Sequence, residues 1–153
     1  MREVEVYFLI NDRRTETILT FVNQMLSSPK SISEEFSFPL YDDIPEKVFD
    51  SLRDLLDFLE TRENAMYSLY WEDEKGVDPR QVMAFYTEDG KVILGIVVDE
   101  TKGFTWLEKL SKTFPIQFGL VTVESALPDQ SSDFVDLCRN GNTPRIVDGR
   151  FFK

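Results

Sequence analysis

The chain has 153 residues, is 42% hydrophobic and carries 13 Phe, 5 Tyr and 2 Trp, which suits one domain over residues 1–153 with a real core. It has no histidine, and Cys138 is its single cysteine, which excludes His-dependent triads, Cys–His proteases, an intramolecular disulfide and nearly all zinc sites. The net charge of −11 is uneven: Arg139, Arg145, Arg150 and Lys153 against Asp148 make a basic tail of +3 over residues 139–153, leaving −14 on the rest.

A body this acidic repels nucleic-acid phosphates and suits a basic protein partner. No run of about 18 apolar residues is present, so no membrane-spanning helix is expected. The opening "MREVEVYFLINDRR" has only a short apolar stretch, broken by Glu3 and Glu5, and lacks the features of a secretory leader. The expected location is the cytoplasm.

"EVEVYFLI" alternates and then turns apolar, which predicts a strand at 3–10. Asn11 or Asp12 can cap a following helix with Ile18, Val22, Met25 and Leu26 on one face and Leu19 beside them, ending near Ser28-Pro29. "EEFSFPL" alternates Phe36 and Phe38, and Pro39 places it at an edge or a strand end. "DDIPEKVFDSLRDLLDFLETRE" predicts a long helix: Asp43 and Glu46 fit a capping box, Pro45 sits in the first turn, and Val48, Leu52, Leu55 and Leu59 form a stripe widened by Phe49 and Leu56. Strands follow at roughly 65–72, 81–88 and 91–98. Asp89-Gly90 is placed at the corner of a tight type I′ hairpin between the last two. "VILGIVV" is apolar on both faces and predicts a central strand, with Gly95 marking close packing or a bulge.

Thr105 and Glu108 suggest a second capping box, ahead of Trp106, Leu107, Leu110 and Phe114 at helical spacing and a stop at Pro115. "IQFGLVTVE" predicts a strand, and "SSDFVDLC" a short helix stopped at Asn140-Gly141. The tail "NTPRIVDGRFFK" has turn chemistry at both ends and adds a short strand or packs loosely. The expected fold class is α+β: a single antiparallel or mixed sheet of about five to six strands, with three to four helices packed mainly on one face.

Few residues point to chemistry. Neither "GxxxxGK" nor "GxGxxG" occurs, so no phosphate loop is expected. "EDEKGVD" gathers Glu72, Asp73, Glu74 and Asp78 around Gly76, but the alternating ligands of a calcium loop are missing, and a plain solvated turn without metal is expected. Glu72 beside Trp71, and Glu124 at a strand end, are the carboxylates best placed for acid–base work. Cys138 reads as a buried thiol. In "YSLYWEDEK", alternation sets Tyr67, Leu69 and Trp71 on one face and Ser68, Tyr70 and Glu72 on the other. Tyr70, Glu72, Asp73 and Glu74 are therefore the expected partner-binding residues, with Tyr70 as anchor and the carboxylates as steering charges.

In size, acidity and the strand–turn–strand–capped helix–strand run "QVMAFYTEDGKVILGIVVDETKGFTWLEKLSKTFPIQFGLVTVE", the chain resembles the small acidic α+β immunity proteins of bacterial polymorphic toxin systems. The resemblance implies binding and occlusion of a toxin, with no chemistry of its own and no cofactor. The expected function is thus a non-catalytic protein-binding module, an inhibitor or immunity protein for a basic partner, engaging neither nucleic acid nor membrane. The alternatives are a small-molecule regulatory domain, with a Phe-lined pocket between sheet and helices, and a carboxylate-dependent enzyme.

Overall fold

The computed structural model describes residues 2–32, 36–40, 42–76 and 78–153. Its elements are β1 (Glu3–Ile10), α1 (Thr15–Met25), β2 (Pro29–Ser31), β3 (Phe36–Phe38), β4 (Lys47–Phe49), α2 (Leu52–Thr61), β5 (Tyr67–Asp73), β6 (Gln81–Tyr86), β7 (Val92–Asp99), α3 (Gly103–Thr113), β8 (Phe118–Thr122), α4 (Ser131–Asn140), β9 (Arg145–Val147) and β10 (Arg150–Phe152). The class is α+β with four α-helices among the described residues, but the expected five to six strands are too few. Eight form one antiparallel sheet in the order β10-β9-β8-β1-β7-β6-β5-β2, and β3 pairs with β4 in a separate ribbon. The extra strands are three-residue pieces, β2, β9 and β10, too short to show a period of two.

Strand alternation gives the sheet two buried faces. Val6 and Phe8 of β1, with Leu94 and Ile96 of β7, pack under Ile18, Phe21 and Val22 of α1, Leu55, Leu56 and Leu59 of α2, and Leu107 and Leu110 of α3. Tyr7, Leu9, Met83, Ile93 and Leu120 point the other way, to Phe134 and Cys138 of α4. Three helices thus share one face and α4 takes the other. The apolar run of β7 follows from covering on both sides. Gly95 is required there because a methyl group at this position would overlap the Tyr7 ring.

Local signals were used differently from the expectation. The predicted helix at 42–63 starts only at Leu52, where Ser51 caps it by accepting from the Asp54 amide at 3.1 Å. Asp42, not Asp43, makes the upstream turn, accepting from the Ile44 amide at 3.1 Å. Residues 47–49 become β4, and Val48 is 61% exposed instead of lying on the core stripe. The Thr105/Glu108 box is also unused: α3 begins at Gly103, behind a single helical turn at Glu100–Lys102 capped by Asp99. Arg14 occupies the N-cap of α1 without a side-chain bond, while Glu60 accepts the Thr15 amide at 2.7 Å.

The type I′ turn expected at Asp89-Gly90 forms instead at the second Asp-Gly pair, in the tail. At Glu88–Gly90, Gly90 has φ +92° and Asp89 is not in the positive region. Thr87 and Lys91 bracket a three-residue loop through the Thr87 amide and the Lys91 carbonyl at 2.9 Å. This is a type I turn closed by a left-handed residue. The paired positive φ values of a type I′ turn occur instead at Asp148 (50°) and Gly149 (78°), where the tail folds into the β9–β10 hairpin.

Candidate functional site

The second face of the sheet is covered at one end only. Phe134, Cys138 and Leu127 close over Leu9, Ile93 and Phe85, while the opposite end lies open. Strand register aligns Thr122, Glu5, Val97, Gln81, Glu72 and Lys30 in one line across β8, β1, β7, β6, β5 and β2. Behind it runs a second line, Leu120, Tyr7, Gly95, Met83 and Tyr70. Glu3 extends the open end beyond Glu5 on the same face.

Two depressions of about 480 and 440 Å³ share Glu3, Gln81 and Val97 and so form one groove across the strands. One end reaches Glu5 and Glu124, and the other reaches Glu72 and Gly76. Glu3, Glu5, Glu72 and Glu124, with the largely buried Asp73, line it together with two arginines, Arg2 and Arg80. Both arginines are already engaged, Arg80 with Glu3 at 3.5 Å and Arg2 with Glu100 at 3.7 Å. Glu5 is fixed by the Tyr7 hydroxyl, which donates to its Oε2. Burial, then that bond to Glu5, pushes the Tyr7 phenol far up, so it stays protonated and remains a donor.

Of the four expected partner-binding residues, Glu72 and Asp73 line this groove, and Tyr70 lies one line behind it. Glu72 is exposed on the first line. Tyr70 is half-buried on the second, edge-on to Phe85 with ring centroids 5.7 Å apart. Glu74 is exposed in the turn after β5, and its amide donates to the Ser28 carbonyl at 3.3 Å. Asp73 is not a surface charge. Alternation turns it to the Trp71 side, where it is buried; its Oδ2 accepts from the Ser27 amide and hydroxyl, each at 3.2 Å, and its Oδ1 from the Lys75 amide at 2.9 Å. The Lys75 amide, against the opposing effect of burial and with help from Ser27, holds this carboxyl below its ordinary value. Asp73 ties the end of α1 to the β5–β6 turn.

The carboxylates of "EDEKGVD" therefore diverge. Asp73 points inward, Asp78 accepts from the Asp99 amide at 3.4 Å, and Val77 lies outside the described residues. Among the described residues no group of three or more His, Cys, Asp or Glu side chains converges as a metal site. Glu72 and Glu124 lie at opposite ends of the groove. Four strand spacings separate β5 from β8, on the order of 19 Å, too wide for two carboxyls to flank one bond at the ~5–10 Å that glycoside chemistry uses. Cys138 is buried beside Phe134, and desolvation, against a weaker pull from Arg145, pushes its thiol up to about 12, so it is no nucleophile at neutral pH.

Glu3, Glu5, Gln81 and Val97 were not foreseen as site residues. For Glu3 and Glu5 the signal was present in "EVEV": Glu alternates with Val at the start of β1, while the same face turns to Tyr7 and Leu9 further along; Gln81 and Val97 join them only through strand register. Comparison with protein-family models, with curated proteins and with solved structures finds no match.

Proposed function

We propose that the protein is a non-catalytic binding module whose open acidic groove takes a basic segment of a protein partner, in the manner of an inhibitor or immunity protein acting in the cytoplasm. The observation that carries this reading is the groove itself: a sheet buried on both faces leaves one end uncovered, and that end is lined by Glu3, Glu5, Glu72 and Glu124. Val97 and Val123 supply apolar area in its lining, and the carboxylates supply the long-range attraction that speeds encounter with a basic partner. No helix among the described residues is long and apolar enough to cross a membrane.

The test is affinity capture from the native host at physiological salt, with the parent protein and with the triple variant Glu3→Gln, Glu72→Gln, Glu124→Gln in parallel. All three side chains are exposed, so the fold should be retained. A basic protein recovered by the parent and at least tenfold depleted with the variant supports the reading. A partner retained equally by both, or no protein partner at all, overturns it.

A further inference from the structure

A second recess lies far from the groove, where β3 and the segment after it approach the start of β5. It encloses about 920 Å³, and its apolar wall is formed by Phe38, Leu40, Ile44, Met66 and Tyr67. Two of these are unusually open to solvent, Ile44 at 86% and Met66 at 42%. Exposed aliphatic side chains gathered at one cleft mark a contact surface more often than a lone exposed residue does.

The charges around the cleft narrow what fits it. Arg62 is spoken for: it grips Glu46 through two bonds of 2.9 and 3.4 Å and stacks on the rings of Phe38 and Phe58. That pairing neutralises Glu46 and leaves Asp42 and Glu88 as the net charge at the rim. A second copy of this chain, at −11 overall, would be repelled. A small ligand is usually enclosed over ~70–90% of its surface, which a wall ending in an 86%-exposed Ile44 does not provide.

We infer that this cleft is a docking site for a basic, apolar segment of a partner protein: an aliphatic side chain lies against Ile44 and Met66, and a lysine or arginine reaches Asp42 or Glu88. The segment would bring its own apolar surface to cover Ile44. This inference rests on a surface separate from the acidic groove and stands or falls without it.

The experiment follows the Met66 methyl signal by NMR in the full chain, one of only four methionines. Three probes are used: the capped tetrapeptide Leu-Lys-Ile-Arg, its acidic counterpart Leu-Glu-Ile-Asp, and the small apolar anion 8-anilinonaphthalene-1-sulfonate. The basic peptide should shift Met66 saturably, and the acidic one should not. Binding should weaken at least tenfold in Ile44→Ser and in Glu88→Lys, whose side chains are exposed and whose folds are checked on the same spectra. Absence of a Met66 shift at millimolar basic peptide, an equal shift with the acidic peptide, or tighter binding of the small anion would each overturn the inference.

Discussion

Arg13 is 4% exposed, and among the described residues it has no carboxylate partner within ion-pair distance. Its two terminal nitrogens are satisfied by carbonyls instead, while Nε is buried with no hydrogen-bond partner among the described residues. Nη1 donates to Leu59 at 3.2 Å, Arg62 at 2.7 Å and Ala65 at 3.1 Å, and Nη2 donates to Thr87 at 2.6 Å and Lys91 at 3.3 Å. Leu59 and Arg62 stand at the C-terminal end of α2, where carbonyls lack helical partners and the helix dipole is negative. Thr87 and Lys91 close the β6–β7 hairpin. One side chain therefore caps a helix and bolts it to the sheet, while stacking over Tyr86 at 5.2 Å. Burial lowers the pKa of the guanidinium, and Tyr86, Glu63 and Asp89 oppose that shift.

Arg13→Met keeps much of the side chain's length and removes all five bonds. At about 1 kcal/mol for each lost bond the sum is about 5 kcal/mol. Water reaching some of the carbonyls, and relief of the cation's own desolvation, offset part of this. The expected loss is about 3–4 kcal/mol, or roughly 10 °C in Tm for a chain of this size. Urea denaturation at pH 7, followed by tryptophan fluorescence, should show a lower midpoint at unchanged slope. Arg13→Lys should recover less than half, because one ammonium cannot span both sets of carbonyls. Arg53→Met, which removes an exposed ion pair with Glu16, should leave the midpoint unmoved. An Arg13→Met loss under about 1 kcal/mol, or an Arg13→Lys variant matching the parent, would refute this account of the joint.

Gly95→Ala forces a methyl group into the Tyr7 ring and should cost about 1–3 kcal/mol in the same urea assay; a neutral result would mean that β1 and β7 yield more easily than their packing implies. Asp89 accepts from the Ser131 amide at 3.0 Å and hydroxyl at 2.6 Å, capping α4 from the hairpin. Burial acts to raise its pKa, but the Ser131 and Thr87 bonds prevail and hold it at about 2, against an ordinary 3.8. A carboxyl depressed in the folded state stabilises fully above its unfolded value and loses that contribution as pH falls through the folded one. The parent should therefore lose midpoint between about pH 4 and pH 2 more steeply than Asp89→Asn, as urea titrations across that range will read. Excess EDTA should leave the melting temperature unchanged, since calorimetry would detect any folding energy coupled to a bound metal.

The long-period signals of the sequence were legible, and the short ones misled. β1, β7 and the stripes of α1 and α2 were readable because each buries one consistent set of side chains against the core. Capping boxes were ambiguous because several lie close together. Asp43 and Glu46 precede Ser51 and Asp54, and only tertiary contact decides which starts the helix; Phe49 and Phe38, each packed on Phe58, hold the upstream segment as a ribbon instead. The two Asp-Gly pairs look alike locally. Asp89 is drawn into a wider loop where its carboxylate caps α4, a demand set by residues some forty positions away. Asp73 was misplaced for a simpler reason: the alternation of β5 runs one residue further than assumed, which carries that side chain to the Trp71 side and off the acidic surface.

The open groove follows from lengths that the sequence does state. β1 has eight residues, about 27 Å at strand rise. The eight-stranded sheet is on the order of 34 Å across. α4, with ten residues, is about 15 Å long, so in no direction can it close the whole face that it covers. The polar residues obey that limit. On this side of β1, Tyr7 and Leu9 occupy the part packed with α4, and Glu3 and Glu5 the part beyond it. Solubility alone would be met by charges of either sign, mixed. In the groove carboxylates outnumber the two arginines Arg2 and Arg80, while the arginines of the chain's C-terminal tail lie around α4 and the β9–β10 hairpin: Arg139 over Phe118 and Arg145 over Phe152. With Arg2 and Arg80 already paired to carboxylates, that division of charge leaves the open end net negative, which is the physical basis for expecting a basic surface to seek it.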